Sequence, residues 1–366
     1  MANNKLVINP WKSIDIKDYN KLMKDFGIKK INPKNLPDNL YFRRGILFGE
    51  KSLNLITVAL EKNKPFVMMT GLMPSGKFHF GHKIIADLMI YFQQLGAECY
   101  IAVADVEAYL TRGISLDKSR ELAINEYLIN YIALGLKPEK TKFYFQSEGA
   151  IDYMNLSKYV SKKTTYNELK SIYGEITPEK IISAFTQVAD ILHPQLSSYG
   201  GPKPIVVPVG VDQLPHINLT RDIAGRMKSD YKFIPPSAIF TKLMPGLKGD
   251  KMSSSDPYSY IALSEDPKEV AKKIKKHAFS GGQATIEEHR KKGGNPDIDV
   301  AFQMLLFGLE PDDKKLQQIY NDYKSGKLLS GELKQITIEK MTTFLTEHQK
   351  KRVKAQAQVK KFMAKV

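Results

Sequence analysis

Residues 65–96 read PFVMMTGLMPSGKFHFGHKIIADLMIYFQQLG, and this segment establishes the class of fold. Its first part, PFVMMTG, is a short apolar run that ends at Gly71 and predicts a buried strand. A loop rich in proline and glycine follows. The remainder has apolar residues at helical spacing up to Gly96, a residue type that favours helix ends. The segment therefore predicts one strand, one loop and one helix in succession.

The same alternation continues as far as about residue 262. Further buried strands are predicted over residues 97–105, 142–147 and 204–212. Helices are predicted over residues 117–135, 178–192 and 213–227. Because apolar strands that alternate with helices are typical of a parallel sheet covered on both faces, we predict an α/β fold with a Rossmann-like parallel sheet. After this the strand pattern ends, which predicts an all-α C-terminal domain.

These patterns divide the chain into three predicted parts. Residues 1–60 form an N-terminal extension that contains the only tryptophan, Trp11. Residues 61–262 form the Rossmann-like catalytic domain, and residues 263–366 form the helical domain. Because ligands of parallel sheets bind beyond the carboxyl ends of the strands, we expect the active site in the crevice there.

Composition restricts the class of protein. The 366 residues are 42% hydrophobic and 26% charged, which excludes a wholly disordered or collagen-like chain. We find neither an apolar run of about 18 residues nor a signal-peptide pattern, so no membrane association is expected. The single cysteine, Cys99, can form neither an internal disulfide nor a zinc site alone. We therefore expect a reducing compartment, the cytoplasm.

The charge of the chain is concentrated at its C-terminal end. The formal net charge is +16, and residues 314–366 hold 13 basic against 4 acidic residues. A solvated helix face is one interpretation of such a run. The other is a helical module that lies against nucleic-acid phosphates, whose affinity would fall steeply with salt.

The loop after the first strand resembles a phosphate-binding loop but lacks one residue of it. Gly71, Gly76 and Lys77 have the G-x-x-x-x-G-K spacing, which in a P-loop is followed by Ser or Thr to bind magnesium. Here the next residue is Phe78, whose ring cannot bind a hard cation. Phe78 therefore disfavours a P-loop, which stays open as an alternative.

Two histidines follow, in the tetrapeptide His79-Phe-Gly-His82. A zinc site would need a third ligand, and we see none nearby. Two imidazoles at the start of a helix, where the helix dipole favours anions, instead indicate phosphate binding. Gly81 lacks a Cβ, so a flat ring could pack against the backbone there. The motif therefore favours a nucleotide as ligand.

A second motif lies between the predicted α/β core and the helical region. Residues 245–255, PGLKGDKMSSS, combine two glycines with two lysines and three serines. A flexible surface loop is the simplest interpretation. As a functional element, the segment places Lys251 among hydroxyl donors on a loop able to close over a polyphosphate.

Together the two motifs resemble a known family. HFGH at 79–82 resembles the HIGH signature of class I aminoacyl-tRNA synthetases, and KMSSS at 251–255 resembles their KMSKS loop. PVGVDQ at 208–213 resembles the G-x-D-Q segment of the tryptophanyl/tyrosyl subgroup. Stretches that resemble the tryptophanyl-tRNA synthetases of archaeal and eukaryotic type lie at residues 43–48, 276–282 and 293–302. The resemblance extends from about residue 10 to the C-terminal helix.

The resemblance implies a two-step reaction. In this family the amino-acid carboxylate attacks the α-phosphorus of ATP, pyrophosphate leaves, and the aminoacyl group is then transferred to tRNA. No enzyme nucleophile is needed, so catalysis consists of positioning and of neutralising phosphate charge. The implied catalytic residues, with the histidines facing the phosphates and the lysine on the β- and γ-phosphates, are His79, His82, Lys251, Ser253 and Ser254.

The resemblance also implies the residues that bind the two small substrates. Those implied for the adenine, ribose and phosphates of ATP are Gly71, Gly81, Gly210, Asp212 and Met252. Those implied for the amino acid are Met69, Ala102, Glu107, Gln187 and Gln213. Eukaryotic relatives have tyrosine in place of Met69 and glutamine in place of Ala102, and these polar groups receive the indole N–H. Glu107 is our best candidate for that acceptor here.

The resemblance further implies the partners. They are ATP with Mg²⁺, L-tryptophan and tRNA(Trp), with no structural metal, and a homodimer formed through connective helices at about residues 149–200. We expect phosphate contacts from the helical domain and from the surroundings of Arg43 and Arg44. The alternatives are a tyrosyl-tRNA synthetase, a P-loop NTPase that acts on nucleic acid, and a non-enzymatic RNA-binding paralogue.

Overall fold

A computed structural model describes residues 8, 18–32, 36–250, 252 and 256–363. Its strands are β1 (Lys29–Lys30), β2 (Leu47–Lys51), β3 (Val67–Leu72), β4 (Glu98–Val103), β5 (Thr141–Phe145), β6 (Ile205–Gly210) and β7 (Ser237–Thr241). They form one sheet in the order β1-β2-β7-β6-β3-β4-β5. The five strands from β7 to β5 are parallel, and β2 and β1 extend the sheet antiparallel at the β7 edge.

The predicted α/β fold with its parallel sheet is confirmed, and the structure adds three strands that were not predicted. β7, β2 and β1 are short, and β1 and β2 come from the N-terminal extension. Residue Asp105, predicted as the end of a strand, is instead the first residue of a helix because β4 ends at Val103. The chain leaves β3 toward β4 and β5, then returns to β6 on the other side of β3. This reversal opens a crevice between the carboxyl ends of β3 and β6.

Helices cover both faces of the sheet. In the part up to residue 262 they are α1 (Tyr19–Asp25), α2 (Leu40–Arg43), α3 (Asn54–Glu61), α4 (Phe80–Gln94), α5 (Asp105–Arg112), α6 (Leu116–Leu122), α7 (Ile129–Leu134), α8 (Ile151–Tyr159), α9 (Tyr166–Tyr173), α10 (Pro178–Leu192), α11 (Leu214–Arg226) and α12 (Lys228–Tyr231). A π-helical turn, Ala123–Leu128, joins α6 to α7. In keeping with the predicted helical domain, the rest contains α13 (Pro267–His277), α14 (Ile286–Lys292), α15 (Val300–Met304), α16 (Asp313–Lys324), α17 (Ser330–Gln356) and α18 (Val359–Met363).

Two apolar cores lie on the two faces of the sheet, as strand periodicity requires. Cys99 and Ile101 of β4 belong to one core, which continues into the helical domain through residues such as Met341 and Leu345. Tyr100 and Ala102 belong to the other. Burial raises the pKa of the Cys99 thiol to about 12, so the thiol stays protonated and acts as a small apolar group. Across the described ranges, no helix has the length and apolar character needed to cross a membrane.

The N-terminal extension is attached to the helical domain through Arg44. Its guanidinium is 4% exposed and pairs with Asp313 at 2.7 Å. It also donates to the carbonyls of Leu306 at 2.8 Å and Glu310 at 2.6 Å. Arg43 pairs with the same Asp313. The donors of Arg44 are thus bound inside the protein, and the expectation of phosphate contacts from the surroundings of Arg43 and Arg44 stays a prediction.

We predict that Arg44→Met lowers the free energy of unfolding by about 3 kcal/mol. The substitution leaves buried carbonyl oxygens without donors and Asp313 without its buried partner. Urea unfolding of the unmodified protein and of Arg44→Met measures this loss of stability. Arg43→Met is the matched control: its side chain is 39% exposed, and we expect a loss of at most about 1 kcal/mol. Equal losses in the two variants would contradict the assignment.

Candidate active site

A cavity of about 450 Å³ lies in the crevice between β3 and β6. It is large enough for a nucleotide or an amino acid, and its walls come from β3, from β6, from residues that follow β4 and β5, and from neighbouring helices. Eight of the residues predicted for the site line it: Met69, Gly71, His82, Glu107, Gln187, Gly210, Asp212 and Gln213. The structure therefore brings together residues that are up to 144 positions apart in the chain.

The other predicted residues have different positions. Ala102 is fully buried within the sheet, opposite Gly71 in the β3–β4 register, and does not line the cavity. Gly81 lies where the two motifs meet: a Cβ added there would lie 3.1 Å from the His79 ring and 3.3 Å from Met252 Sδ. Lys251, Ser253 and Ser254 lie outside the described residues.

The two histidines stack at the start of α4. Their ring centroids are 3.6 Å apart with an angle of 19° between the planes. His79 is the N-cap residue of the helix, and its backbone N–H donates to His82 Nδ1 at 3.2 Å. Because Nδ1 of His82 accepts, its proton lies on Nε2, which is free to act as a donor. Nδ1 of His79 is buried and has no partner among the described residues.

Burial keeps both imidazoles neutral. It lowers the pKa of His79 to about 4. Burial, together with the neighbouring His79, also lowers the pKa of His82 well below its usual range. At neutral pH the pair therefore offers hydrogen bonds and the positive end of the helix dipole to an anion, but no full positive charge. The charge of a polyphosphate has to be met by other groups.

Phe78 occupies the position that a P-loop gives to Ser or Thr, and it is fully buried. Its ring packs against His82 at 5.3 Å, Tyr127 at 5.6 Å and Tyr131 at 5.7 Å between centroids. A residue held in this way is part of the aromatic wall behind the histidines. The geometry therefore argues against the P-loop alternative and gives Phe78 a packing role.

The segment PVGVDQ, which contains two of the residues implied for ATP, begins in β6 and continues beyond its carboxyl end. Asp212 folds back over Gly210, so that a Cβ at Gly210 would lie 2.4 Å from Asp212 Oδ1. Any side chain at Gly210 would displace this carboxylate. Gln213 donates to Asp212 Oδ2 at 3.4 Å and is the N-cap residue of α11. The loop thus presents a carboxylate and an amide to the cavity at the topological switch point.

At the opposite end of the cavity lies Asp190, a residue that the sequence analysis missed. Its Oδ1 accepts hydrogen bonds from the hydroxyls of Tyr144 at 2.9 Å and Tyr153 at 2.8 Å. Its Oδ2 accepts one from the amide of Gln146 at 2.7 Å. Burial raises the pKa of Asp190 to about 7, although these three donors act in the other direction. A signal was present in the sequence, since Gln187 and Asp190 are three residues apart and share a face of α10.

Gln187 itself presents an unused acceptor. Its Oε1 is buried and has no partner among the described residues. Glu107, in the first turn of α5, lies nearby and donates its backbone N–H to Gln146 Oε1 at 3.4 Å. His216, also missed, lines the cavity and bonds the Tyr173 hydroxyl through Nδ1 at 2.8 Å. This end of the cavity is therefore rich in acceptors that suit an ammonium or an aromatic N–H.

The segment that carries the second motif is held at both ends. Leu247 N–H donates to the Ser259 carbonyl at 2.8 Å, and Lys248 pairs with Asp256 at 2.6 Å. Gly249 has a φ of +92° and packs closely on Phe279. Met252, the one described residue of the motif, lies next to the start of α4, with its Sδ 3.3 Å from the position of a Cβ added at Gly81. The described part of the chain contains no cluster of three or more His, Cys, Asp or Glu side chains suited to a metal ion.

Comparisons with known proteins agree over almost the whole chain. The model of the family described as tRNA synthetases class I (W and Y) matches residues 61–346. Tryptophan–tRNA ligases of Aeropyrum pernix and Methanocaldococcus jannaschii are each 44% identical, with 95% of both chains covered in each case. The crystal structure of the Aeropyrum pernix tryptophanyl-tRNA synthetase has a TM-score of 0.90 at 43% identity, covering 97% of this chain and 98% of that one. The Plasmodium falciparum tryptophanyl-tRNA synthetase has a TM-score of 0.82 at 33% identity, with 94% and 97% covered.

Proposed function

The chain belongs to the class I tRNA synthetases of the tryptophan and tyrosine group, and we propose that it is the tryptophan enzyme of this group. It activates L-tryptophan with ATP to tryptophanyl adenylate, releases pyrophosphate, and transfers the tryptophanyl group to tRNA(Trp). The observation that carries this function is the 44% identity to tryptophan–tRNA ligases over 95% of the chain. The family predicted from the two motifs is confirmed by the match to the family model.

Adenylate formation needs no group of the protein to form a bond. The tryptophan carboxylate attacks the α-phosphorus of ATP from the side opposite the pyrophosphate that leaves. His79 and His82 donate hydrogen bonds to phosphate oxygens at the start of α4. Mg²⁺ enters with ATP as part of the substrate. Lys251 supplies positive charge to the β- and γ-phosphates as they separate, with Ser253 and Ser254 as further donors.

The acceptor for the indole N–H is Asp190 in this proposal, instead of Glu107. A carboxylate has about four acceptor sites, and three donors of the protein occupy Asp190. One acceptor site of the carboxylate is left for the indole N–H. The carboxylate is too deeply buried for water to compete for that site. Gln187 Oε1 then accepts from the tryptophan ammonium, which is the kind of partner that a buried unpaired acceptor requires.

Pyrophosphate exchange with each amino acid separately tests the function. We expect exchange with tryptophan and none above background with tyrosine. A carboxylate could also accept from a phenol, so tyrosine is the decisive comparison. Exchange with tyrosine only would make the chain a tyrosyl-tRNA synthetase, and ATP hydrolysis without any amino acid would favour an NTPase.

The helical domain binds the anticodon region of tRNA in this proposal. The lysines at the end of α17 and in α18 support it, because Lys350, Lys351, Lys354, Lys360 and Lys361 are all exposed. Their ammonium groups make the C-terminal end of the helical domain positively charged, and this end of the sequence contains few acidic residues. Such a surface suits an RNA backbone.

We predict that the affinity for tRNA falls steeply as the salt concentration rises. The triple variant Lys350→Ala/Lys351→Ala/Lys354→Ala should reduce the slope of the logarithm of the binding constant against the logarithm of the salt concentration by about 2. Filter binding between low and moderate salt measures both. The control is Lys62→Ala/Lys64→Ala, exposed lysines of the segment before β3, near the amino ends of the strands. A flat salt dependence in the unmodified protein would argue against phosphate contacts.

A homodimer and a cytoplasmic location complete the proposal. Exposed apolar side chains on α8, α9 and α10 support the dimer: Ile151, Met154, Tyr159, Tyr166 and Ile182. Such a concentration of apolar surface on three neighbouring helices suits a partner chain. Sedimentation of the protein with and without Ile151→Asp tests it. The cytoplasmic location stays a prediction from the single cysteine.

A further inference from the structure

The turn that holds the two active-site histidines is in direct contact with the helical domain. Phe80, between His79 and Gly81, is buried, and its ring packs edge to face against Phe344 of α17 at 5.9 Å with an angle of 84°. Lys83 Nζ lies over both rings, 6.0 Å from one centroid and 5.6 Å from the other. The side chain next to His79 therefore rests on a helix that belongs to another domain.

A second route joins the same two places. His348, one turn after Phe344 and stacked on it at 5.6 Å, donates Nε2–H to Asn130 Oδ1 at 2.7 Å. The direction follows because the Asn130 amide nitrogen donates to the Glu126 carbonyl. Burial and nearby cationic side chains lower the pKa of His348 to about 4, so the ring is a neutral donor.

The second route ends on the other histidine of the active site. The Glu126 carbonyl accepts the hydrogen bond from the Asn130 side-chain amide. Glu126 lies in the π-helical turn that joins α6 to α7. The next residue, Tyr127, packs its ring against His82 at 5.4 Å. π-helical turns often occur at functional sites because the extra residue redirects side chains. Here the turn faces His82 on one side and α17 on the other.

We propose that Phe344 and His348 are positioning residues of the ATP site, which hold the imidazoles of His79 and His82 through Phe80 and through Asn130 and Tyr127. This rests on the proposed function. Packed side chains do not deform freely, so a shift of α17 moves the turn that carries the histidines. A misplacement of about 1 Å at such groups costs on the order of 100-fold in rate.

The same helix links this site to the proposed tRNA surface. Lys350, Lys351 and Lys354 follow His348 directly on α17, and at 1.5 Å per residue Lys354 is about 9 Å further along the axis. An RNA bound to these lysines acts on the helix that supports the histidines. The proposal therefore includes a coupling: saturating tRNA(Trp) changes the KM for ATP in pyrophosphate exchange.

The test compares Phe344→Leu, Phe344→Ala, His348→Leu and His348→Gln in the full chain. We expect Phe344→Ala and His348→Leu to reduce kcat of tryptophan-dependent exchange by about 30-fold and to raise the KM for ATP, while the KM for tryptophan changes less than twofold. His348→Gln keeps a side-chain N–H donor and should recover most of kcat. The effect of tRNA on the KM for ATP should disappear in Phe344→Ala.

Met341→Ala is the matched control, since Met341 is buried on the same helix, one turn before Phe344 and two turns before His348. It should lower the melting temperature without the change in KM for ATP. Unchanged kcat and KM for ATP in Phe344→Ala and His348→Leu would overturn the proposal, as would the same change in Met341→Ala. If Phe344→Ala does not fold, Phe344→Leu and the two His348 variants decide. Failure of the proposed function itself would be seen separately, as absence of tryptophan-dependent exchange in the unmodified protein.

Discussion

Asp190→Asn should reduce kcat/KM for tryptophan in pyrophosphate exchange by about 1000-fold, roughly 4 kcal/mol, with little change in the KM for ATP. The carboxylate receives both tyrosine hydroxyls on Oδ1 and the Gln146 amide on Oδ2. An asparagine has one oxygen for these donors, and its own amide then faces the Gln146 amide, donor against donor. The indole N–H loses its acceptor in a site that water cannot fill.

An analogue separates recognition from general damage to the pocket. Benzothienylalanine has the shape of tryptophan with sulfur in place of the N–H. The unmodified enzyme should prefer tryptophan over this analogue by a large factor, and Asp190→Asn should lose most of that preference. Asp105→Asn is the control, because Asp105 is also a buried carboxylate, bonded to the Ser147 hydroxyl, but does not line the cavity. Retained discrimination in Asp190→Asn would assign the indole to another acceptor.

The raised pKa of Asp190 adds a dependence on pH. Burial raises the pKa to about 7 in the free protein, with a further contribution from Glu107. An N–H donor favours the ionised carboxylate, so tryptophan binding lowers this pKa and releases a proton near neutral pH. Affinity for tryptophan should therefore rise with pH up to about 7 and then level off. Titration calorimetry in two buffers measures the released proton, and Asp190→Asn should show none.

Lys251→Ala is the second change for which we expect a large effect. It should slow adenylate formation by at least ~100-fold, about 3 kcal/mol of transition-state stabilisation. The reason lies in the histidines: burial lowers the pKa of His79 to about 4 and that of His82 well below its usual range. Neither can carry positive charge at neutral pH. The separating phosphates therefore depend on the lysine of the second motif.

The control for this variant is Lys248→Ala, three residues earlier in the same segment. Its ammonium is paired with Asp256 at 2.6 Å and supports the loop. We expect a loss of less than about tenfold, because the pair is half-exposed and the loop is also held by the Leu247–Ser259 hydrogen bond. Exchange at the normal rate in Lys251→Ala would remove the second motif from the mechanism.

Local patterns in the chain were sufficient to predict the order of strand, loop and helix around HFGH. The periodicity of apolar residues shows which face of a helix or strand is buried. It does so whatever the position of that element in the fold. The predicted strands over residues 142–147 and 204–212 agree with β5 and β6 to within two residues at each end. The antiparallel strand β2 was missed because it pairs with β7, nearly 200 residues away, and β1 was missed because it forms only by pairing with β2.

For polar side chains, in contrast, the local sequence did not predict what they bind. Arg44 looks like a solvated or RNA-binding arginine next to Arg43, yet it is buried against carbonyls that follow α15. Asp190 looks like any polar residue of an amphipathic helix, yet three donors from other elements surround it. What such a side chain binds depends on groups that folding brings from elsewhere.

The amino-acid sequence alone thus specified the α/β class, the basic C-terminal region and the two motifs, since each is a property of neighbouring residues. Folding specified that three donors converge on Asp190, that both imidazoles are neutral, and that α17 packs against the turn that carries them. Burial and hydrogen-bond partners set these properties, and both arise only when distant segments pack together.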